Sequence, residues 1–99
     1  MKITKFIMSN STICVCIKIF GLVQGVYFRA YTKEKAQQLG LNGFVRNDPD
    51  GTVYIECMGS AENIENFIDC CRKGSPRSVV TKVDVTELTE KKFEGFVIR

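Results

Sequence analysis

From Gly21 to Arg29 the chain reads Gly-Leu-Val-Gln-Gly-Val-Tyr-Phe-Arg, two glycines followed by an arginine. Gly21 and Gly25 allow the backbone a tight path with several N–H groups turned inward, and such a concavity binds anions. Arg29 adds a planar guanidinium fork that matches two phosphate oxygens at once. The same residues also fit an ordinary strand-to-helix loop with a solvated arginine. Asn47 heads the segment Asn47-Asp48-Pro49-Asp50-Gly51. Its amide is both acceptor and donor, so it either orients a water or opens a turn by bonding to its own backbone. A second phosphate-loop pattern, C-x-x-G-x-x-R, runs from Cys71 to Arg77. Cysteine-dependent chemistry of that kind wants the thiol beside a helix N-terminus, where its pKa falls.

What the chain lacks narrows the chemistry further. It has no histidine, which removes Ser-His and Cys-His catalysis, histidine metal sites and phosphohistidine transfer. The five cysteines are Cys14, Cys16, Cys57, Cys70 and Cys71, without a C-x-x-C pair. Neither a zinc ribbon nor a thioredoxin-like motif is available, and reduced thiols in a cytoplasmic protein are the expectation. Carboxylates do not cluster at metal-ligand spacing, so no metal and no cofactor is expected. The net charge of +3 suits a small anion as well as a nucleic acid. The N-terminus begins like a signal peptide, but Ser9-Asn10-Ser11-Thr12 and Lys18 interrupt its apolar runs. No stretch approaches the roughly 18 apolar residues of a membrane span.

The elements that would position these residues follow from periodicity. Ile13, Val15, Ile17 and Ile19 alternate as a half-buried strand. Phe28, Thr32, Ala36 and Leu39 share a helical face that stops at Gly40-Leu41. Two strands, 42–46 and 52–58, flank the turn-forming segment. Ser60 caps a second helix with Ile64, Phe67, Ile68 and Cys71 on one stripe, stopped by Gly74 and Pro76. A fourth strand carries Val79, Thr81, Val83 and Val85, and Phe96–Arg99 adds a short fifth. The order β-α-β-β-α-β predicts an α+β, ferredoxin-like sandwich, with two helices on one face of an antiparallel sheet. One domain over 12–99 is expected, behind a loose lead-in over 1–11. Cys71 falls near a helix C-terminus in this scheme, where the dipole opposes thiolate and phosphate alike. Cys14 and Cys16 share a strand face open to solvent, and Cys57 points inward.

The segment from Gly21 to Arg29 resembles the signature of the acylphosphatase family. The family's second block, G-[WY]-V-x-N-x-x-D-G-x-V, is matched from Gly43 to Val53. Weaker matches follow at Gly59, Gly74-Ser75-Pro76 and Phe96-Val97-Ile98-Arg99. The likeness spans roughly 13–99 and departs from the motif at Phe44, where the family has Trp or Tyr. It implies a metal-independent hydrolase of carboxyl-phosphate anhydrides. Arg29 would hold the phosphoryl group with the backbone amides of Leu22, Val23, Gln24, Gly25, Val26, Tyr27 and Phe28. Asn47 would place the attacking water.

That activity fits a chain without histidine. An acyl phosphate leaves as a carboxylate whose conjugate acid has a pKa near about 4, so no general acid is required. Phosphoryl transfer passes through a loose transition state, so the water needs placing more than deprotonating. The expected partner is a small acyl phosphate, with inorganic phosphate as inhibiting product. A monomer is expected, without nucleic-acid or membrane contacts. Two other readings share the topology: an RNA-binding module, which the strand aromatics Phe20 and Tyr54 would serve, and a non-catalytic acyl-phosphate-binding domain.

Overall fold

A computed structural model describes residues 11–89 and 91–99. In chain order the elements are β1 (Thr12–Leu22), α1 (Phe28–Gln38), β2 (Asn42–Asn47), β3 (Val53–Ser60), α2 (Ala61–Lys73), β4 (Val79–Leu88) and β5 (Phe96–Ile98). The sheet order is β4-β1-β3-β2-β5. Its first four strands pair antiparallel, and the short β5 runs parallel to β2. Both helices cover one face, the ferredoxin-like sandwich that the periodicity predicts.

Alternation along the strands sorts residues between the faces. Ile13, Val15, Ile17 and Ile19 of β1, Val45 of β2 and Val53, Ile55 and Cys57 of β3 form the buried layer. Against it lie Phe28 and Ala36 of α1 and Ile64, Phe67, Ile68 and Cys71 of α2. Burying each such large apolar side chain contributes about 1.5–3 kcal/mol.

Helix ends follow local chemistry. α1 closes with the Leu41 N–H donating to Ala36 and the Gly40 N–H to Gln37, around Gly40 at φ 67°. That is the left-handed glycine stop written in Gly40-Leu41. At α2 the Ser60 hydroxyl accepts from the Asn63 N–H at 3.2 Å.

The outer sheet face is less open than its strand pattern suggests. The connection from β4 to β5 crosses it, setting Phe93 edge-on to Phe44 and Lys91 2.9 Å from Glu56. Phe44 is thereby buried, with the Arg99 guanidinium 4.0 Å from its ring centre. The same connection corrects the expectation for Cys14. That thiol is 5% exposed rather than open, and burial raises its pKa. Cys16 is half-buried, and Cys57 is buried as expected. The lead-in over 1–10 lies outside the described residues.

Candidate active site

Strand pairing gathers three loops at one end of the sheet. Leu22, the last residue of β1, pairs with Val79, the first of β4. Val53, opening β3, pairs with Ile19 of β1 and Asn47 of β2. The β1–α1 loop, the β2–β3 hairpin and the α2–β4 turn therefore meet. β5 adds its end to them, since Ile98 pairs with Val45.

The β1–α1 loop is held in an unusual path. β1 bulges between Phe20 and Gly21, and Gly21 sits at φ 122°, where an added Cβ would strike the Val79 carbonyl. Gly25 has φ 73°. Tyr27, the residue before α1, takes a left-handed φ of 60° and is 79% exposed. A bulky residue held there is strained, and such strain collects at functional loops. α1 starts with no side-chain cap and no acidic residue in its first turn. Its first N–H groups and the positive end of its dipole are thus left for an anion.

A cleft of about 480 Å³ opens at this point. Val23, Gly25, Tyr27, Phe28 and Arg29 line it from the loop and α1, and Asn47 from the hairpin. Arg77 and Ile98 complete it. Among the described residues no carboxylate pairs with Arg29 or Arg77. Two guanidinium groups thus border one cleft beside a helix N-terminus.

Asn47 lines this cleft, and its Oδ1 is buried without a hydrogen-bond partner among the described residues. A buried polar atom left unpaired costs about 1–3 kcal/mol. An Asx turn would use that oxygen as acceptor, and here it does not. Asp50 holds the turn instead, its Oδ1 accepting from the Thr52 N–H at 3.0 Å and the Thr52 hydroxyl at 2.5 Å. Lys18 contacts the other oxygen of Asp50 at 3.0 Å. These hydrogen bonds, the Thr52 hydroxyl first, hold the Asp50 carboxyl well below the usual carboxylate range.

Gln24 joins loop to hairpin. Its Nε2 donates to the Asp48 carbonyl at 2.8 Å and the Thr52 carbonyl at 2.9 Å. The side chain thus fixes the distance between the loop and the strand end carrying Asn47. Gln24→Ala is expected to lower the melting temperature by several degrees, about 1–2 kcal/mol for two lost bonds to half-buried acceptors. If Asn47 acts in a reaction at this cleft, the change should also lower kcat more than it raises KM, because Asn47 loses its registration against the loop. Gln24→Glu should be worse, since a carboxylate would face two carbonyl oxygens. Melting curves and steady-state kinetics on both variants check this. An unaltered kcat in Gln24→Ala would confine the residue to stability.

The other loop residues divide. Leu22 belongs to β1 and is exposed, and Val26 packs partly against the core. Neither lines the cleft with its side chain, nor does Gln24. The sequence pattern alone does not bring Arg77 or Ile98 to this cleft. In the sequence Arg77 belongs to the C-x-x-G-x-x-R pattern, which does not assemble. Cys71 is fully buried in α2, with burial pushing its thiol well above the ordinary range. It does not line the cleft.

A ferredoxin-like sandwich with a bulged glycine loop, an uncapped helix start and two arginines at one end defines a small anion-handling domain. Known proteins of this description exist. The acylphosphatase family model matches residues 15–98. An acylphosphatase of Syntrophobacter fumaroxidans is 48% identical over 81 residues, covering 82% of this chain and 80% of its own. The crystal structure of the Bacillus subtilis acylphosphatase superposes with a TM-score of 0.86 at 33% identity, over 90% of this chain and 99% of that one. Full-length HypF, solved with phosphate and nucleotide bound, gives 0.85 at 35% identity over 92% of this chain, which matches 12% of it. The chain belongs to the acylphosphatase family. It is an enzyme of acyl-phosphate hydrolysis, acting on a small-molecule substrate.

Proposed function

We propose that Arg29 and the backbone amides from Leu22 to Phe28 hold the phosphoryl group of an acyl phosphate, and that Asn47 places the water that attacks it. The observation that carries this reading is Asn47, which lines the same cleft as Arg29 beside the uncapped start of α1 and whose Oδ1 has no hydrogen-bond partner among the described residues. A water hydrogen-bonded to the Asn47 amide keeps a lone pair free for phosphorus. As the bond from water to phosphorus forms, the phosphorus–oxygen bond to the carboxylate breaks. The carboxylate departs with the electron pair, and the water's proton passes to a phosphate oxygen or to solvent. Charge on the equatorial oxygens is met by preorganised N–H groups and the guanidinium.

No step in this scheme needs a histidine or a metal. Residues 12–99 serve as a single catalytic domain behind the lead-in over 1–11, working as a cytoplasmic monomer that its product phosphate inhibits. Nucleic acid has no part in it. The outer-face aromatics are already occupied: Lys18 and Lys82 lie over Phe20, and Arg46 lies 4.4 Å from the ring centre of Tyr54.

The test is phosphate release from benzoyl phosphate with EDTA present, beside a phosphomonoester control. Turnover of the anhydride should persist in EDTA, and the monoester should be barely touched. Activity lost in EDTA and restored by Mg²⁺ would contradict the scheme.

A further inference from the structure

A second cleft, of about 370 Å³, adjoins the first between α1 and the α2–β4 turn. Tyr27, Ala30 and Arg77 border both, so Arg77 stands at their junction. Beyond that junction the walls are Tyr31 and Pro76, with the Glu34 carboxylate at the side of α1. We propose that this second cleft is the subsite for the acyl group, and that it selects uncharged apolar or aromatic acyl groups over those carrying a distal negative charge. The inference rests on the hydrolase reading above, which fixes where phosphorus and water lie.

Three observations carry it. The first is direction. In-line displacement puts the leaving oxygen opposite the attacking water. Asn47 lines the first cleft from the hairpin side and has no part in the second. An acyl group leaving away from Asn47 passes Arg77 and enters the space beside Tyr31.

The second is that the cleft is fastened on both sides. The Ser75 hydroxyl donates to the Val26 carbonyl at 3.2 Å, and the Ser78 hydroxyl donates to the Ser75 carbonyl at 2.8 Å. The first ties the phosphate loop to the α2–β4 turn, and the second braces the turn itself. The Tyr31 hydroxyl donates to the Cys70 carbonyl at 3.0 Å, and its ring packs against Phe28 at 6.0 Å. A ring held at both ends is a preformed wall, and preformed apolar walls bind with little ordering cost.

The third is charge. Arg77 at the junction meets the carboxylate that develops as the bond breaks. Glu34, further along on the exposed side of α1, lines the far end, whereas Lys35, 5.6 Å from the Tyr31 ring centre, is not part of the lining. A methyl or phenyl group is accepted there, whereas a second carboxylate or phosphate is repelled.

The experiment measures kcat/KM for acetyl, benzoyl and succinyl phosphate with the wild-type chain and three variants. Benzoyl phosphate should exceed acetyl phosphate by about 10-fold or more, the range for filling an apolar pocket. Tyr31→Ala should collapse that ratio to about 2 or less, and Tyr31→Phe, which keeps the ring and loses the hydroxyl bond, should retain it. Comparing the ratio between variants cancels the intrinsic reactivity of the substrates. Glu34→Lys, a change on the exposed side of α1 that leaves the core alone, should raise the succinyl-to-benzoyl ratio by about 10-fold. Hydrolysis of all three with the benzoyl-to-acetyl ratio equal in wild type and Tyr31→Ala, or a succinyl-to-benzoyl ratio unmoved by Glu34→Lys, overturns the subsite and leaves the hydrolase reading standing. Release of phosphate from none of them overturns both.

Discussion

Arg29→Ala should reduce phosphate release from acyl phosphates by about 10³-fold or more, the scale on which one arginine stabilises a transferring phosphoryl group. The same change should weaken inhibition by inorganic phosphate, because ground and transition states both present oxygens to the guanidinium. Arg29→Lys should recover only part of the loss, since a single ammonium cannot span two equatorial oxygens. Misfolding is a poor explanation for such a result. The Arg29 side chain is half-exposed and has no hydrogen bond or ion pair among the described residues, so alanine removes no polar contact of the fold. Arg77 supplies the comparison, because it borders the same cleft from the α2–β4 turn. Arg77→Ala should lower kcat while leaving phosphate inhibition close to wild type. The reverse pattern, phosphate affinity kept in Arg29→Ala and lost in Arg77→Ala, would move the phosphoryl group to the second arginine.

The two arginines also mark where sequence stops being informative. Arg29 was legible because everything that positions it is local: a glycine-bearing loop, then a helix whose apolar spacing and Gly40-Leu41 stop are reproduced bond for bond. Arg77 lies 48 positions away in the chain and enters the cleft through the pairing of Leu22 with Val79. The order β4-β1-β3-β2 had to be known before that pairing had meaning. Asn47 stood between two roles for the same reason. Its neighbours are turn formers, so local chemistry offered an Asx turn. The bonds that hold the hairpin in its place come from Asp50 and from Gln24, the latter 24 and 28 positions from its acceptors. Cys14 was misread because Lys91-Lys92-Phe93 has no apolar period to announce that it crosses the sheet. What is carried by spacing along the chain was readable, and what depends on a side chain from another loop was not.

That division bears on how the proposed scheme works without a histidine. A loose transition state and a good leaving group demand fixed dipoles and a placed water, not a titrating base. Fixed dipoles come from backbone, and backbone is set by the glycines, the bulge at Gly21 and the strained Tyr27. The hairpin is locked onto the loop by the amide of Gln24, which does not titrate. The side chains that position the site therefore hold their geometry across the neutral range. Asp50, a stabilising carboxylate of the hairpin, is held ionised by Thr52 and Lys18. Its depressed pKa makes its contribution present above the ordinary carboxylate range and lost only as pH falls through the lowered value, so the hairpin weakens in strong acid and not near neutrality.

Asn47→Ala is the change that separates function from stability. If Asn47 places the water, its loss should lower kcat by about 10²-fold or more, the scale for misplacing a reacting group. KM and phosphate inhibition should move far less, because Arg29 and the loop amides still hold the anion. The melting temperature should hold. Alanine removes an oxygen with no hydrogen-bond partner among the described residues, so no protein hydrogen bond of that oxygen is lost. A slower and equally stable enzyme is the signature of a residue kept for chemistry. Asn47→Asp should be comparably slow, since a carboxylate beside bound phosphate repels it and gives up the amide donor. The turn reading makes the opposite forecast: alanine would lower the melting temperature and spare kcat. Steady-state kinetics and melting curves on the two variants decide between them. A near-wild-type kcat with a lowered melting temperature would remove Asn47 from the mechanism.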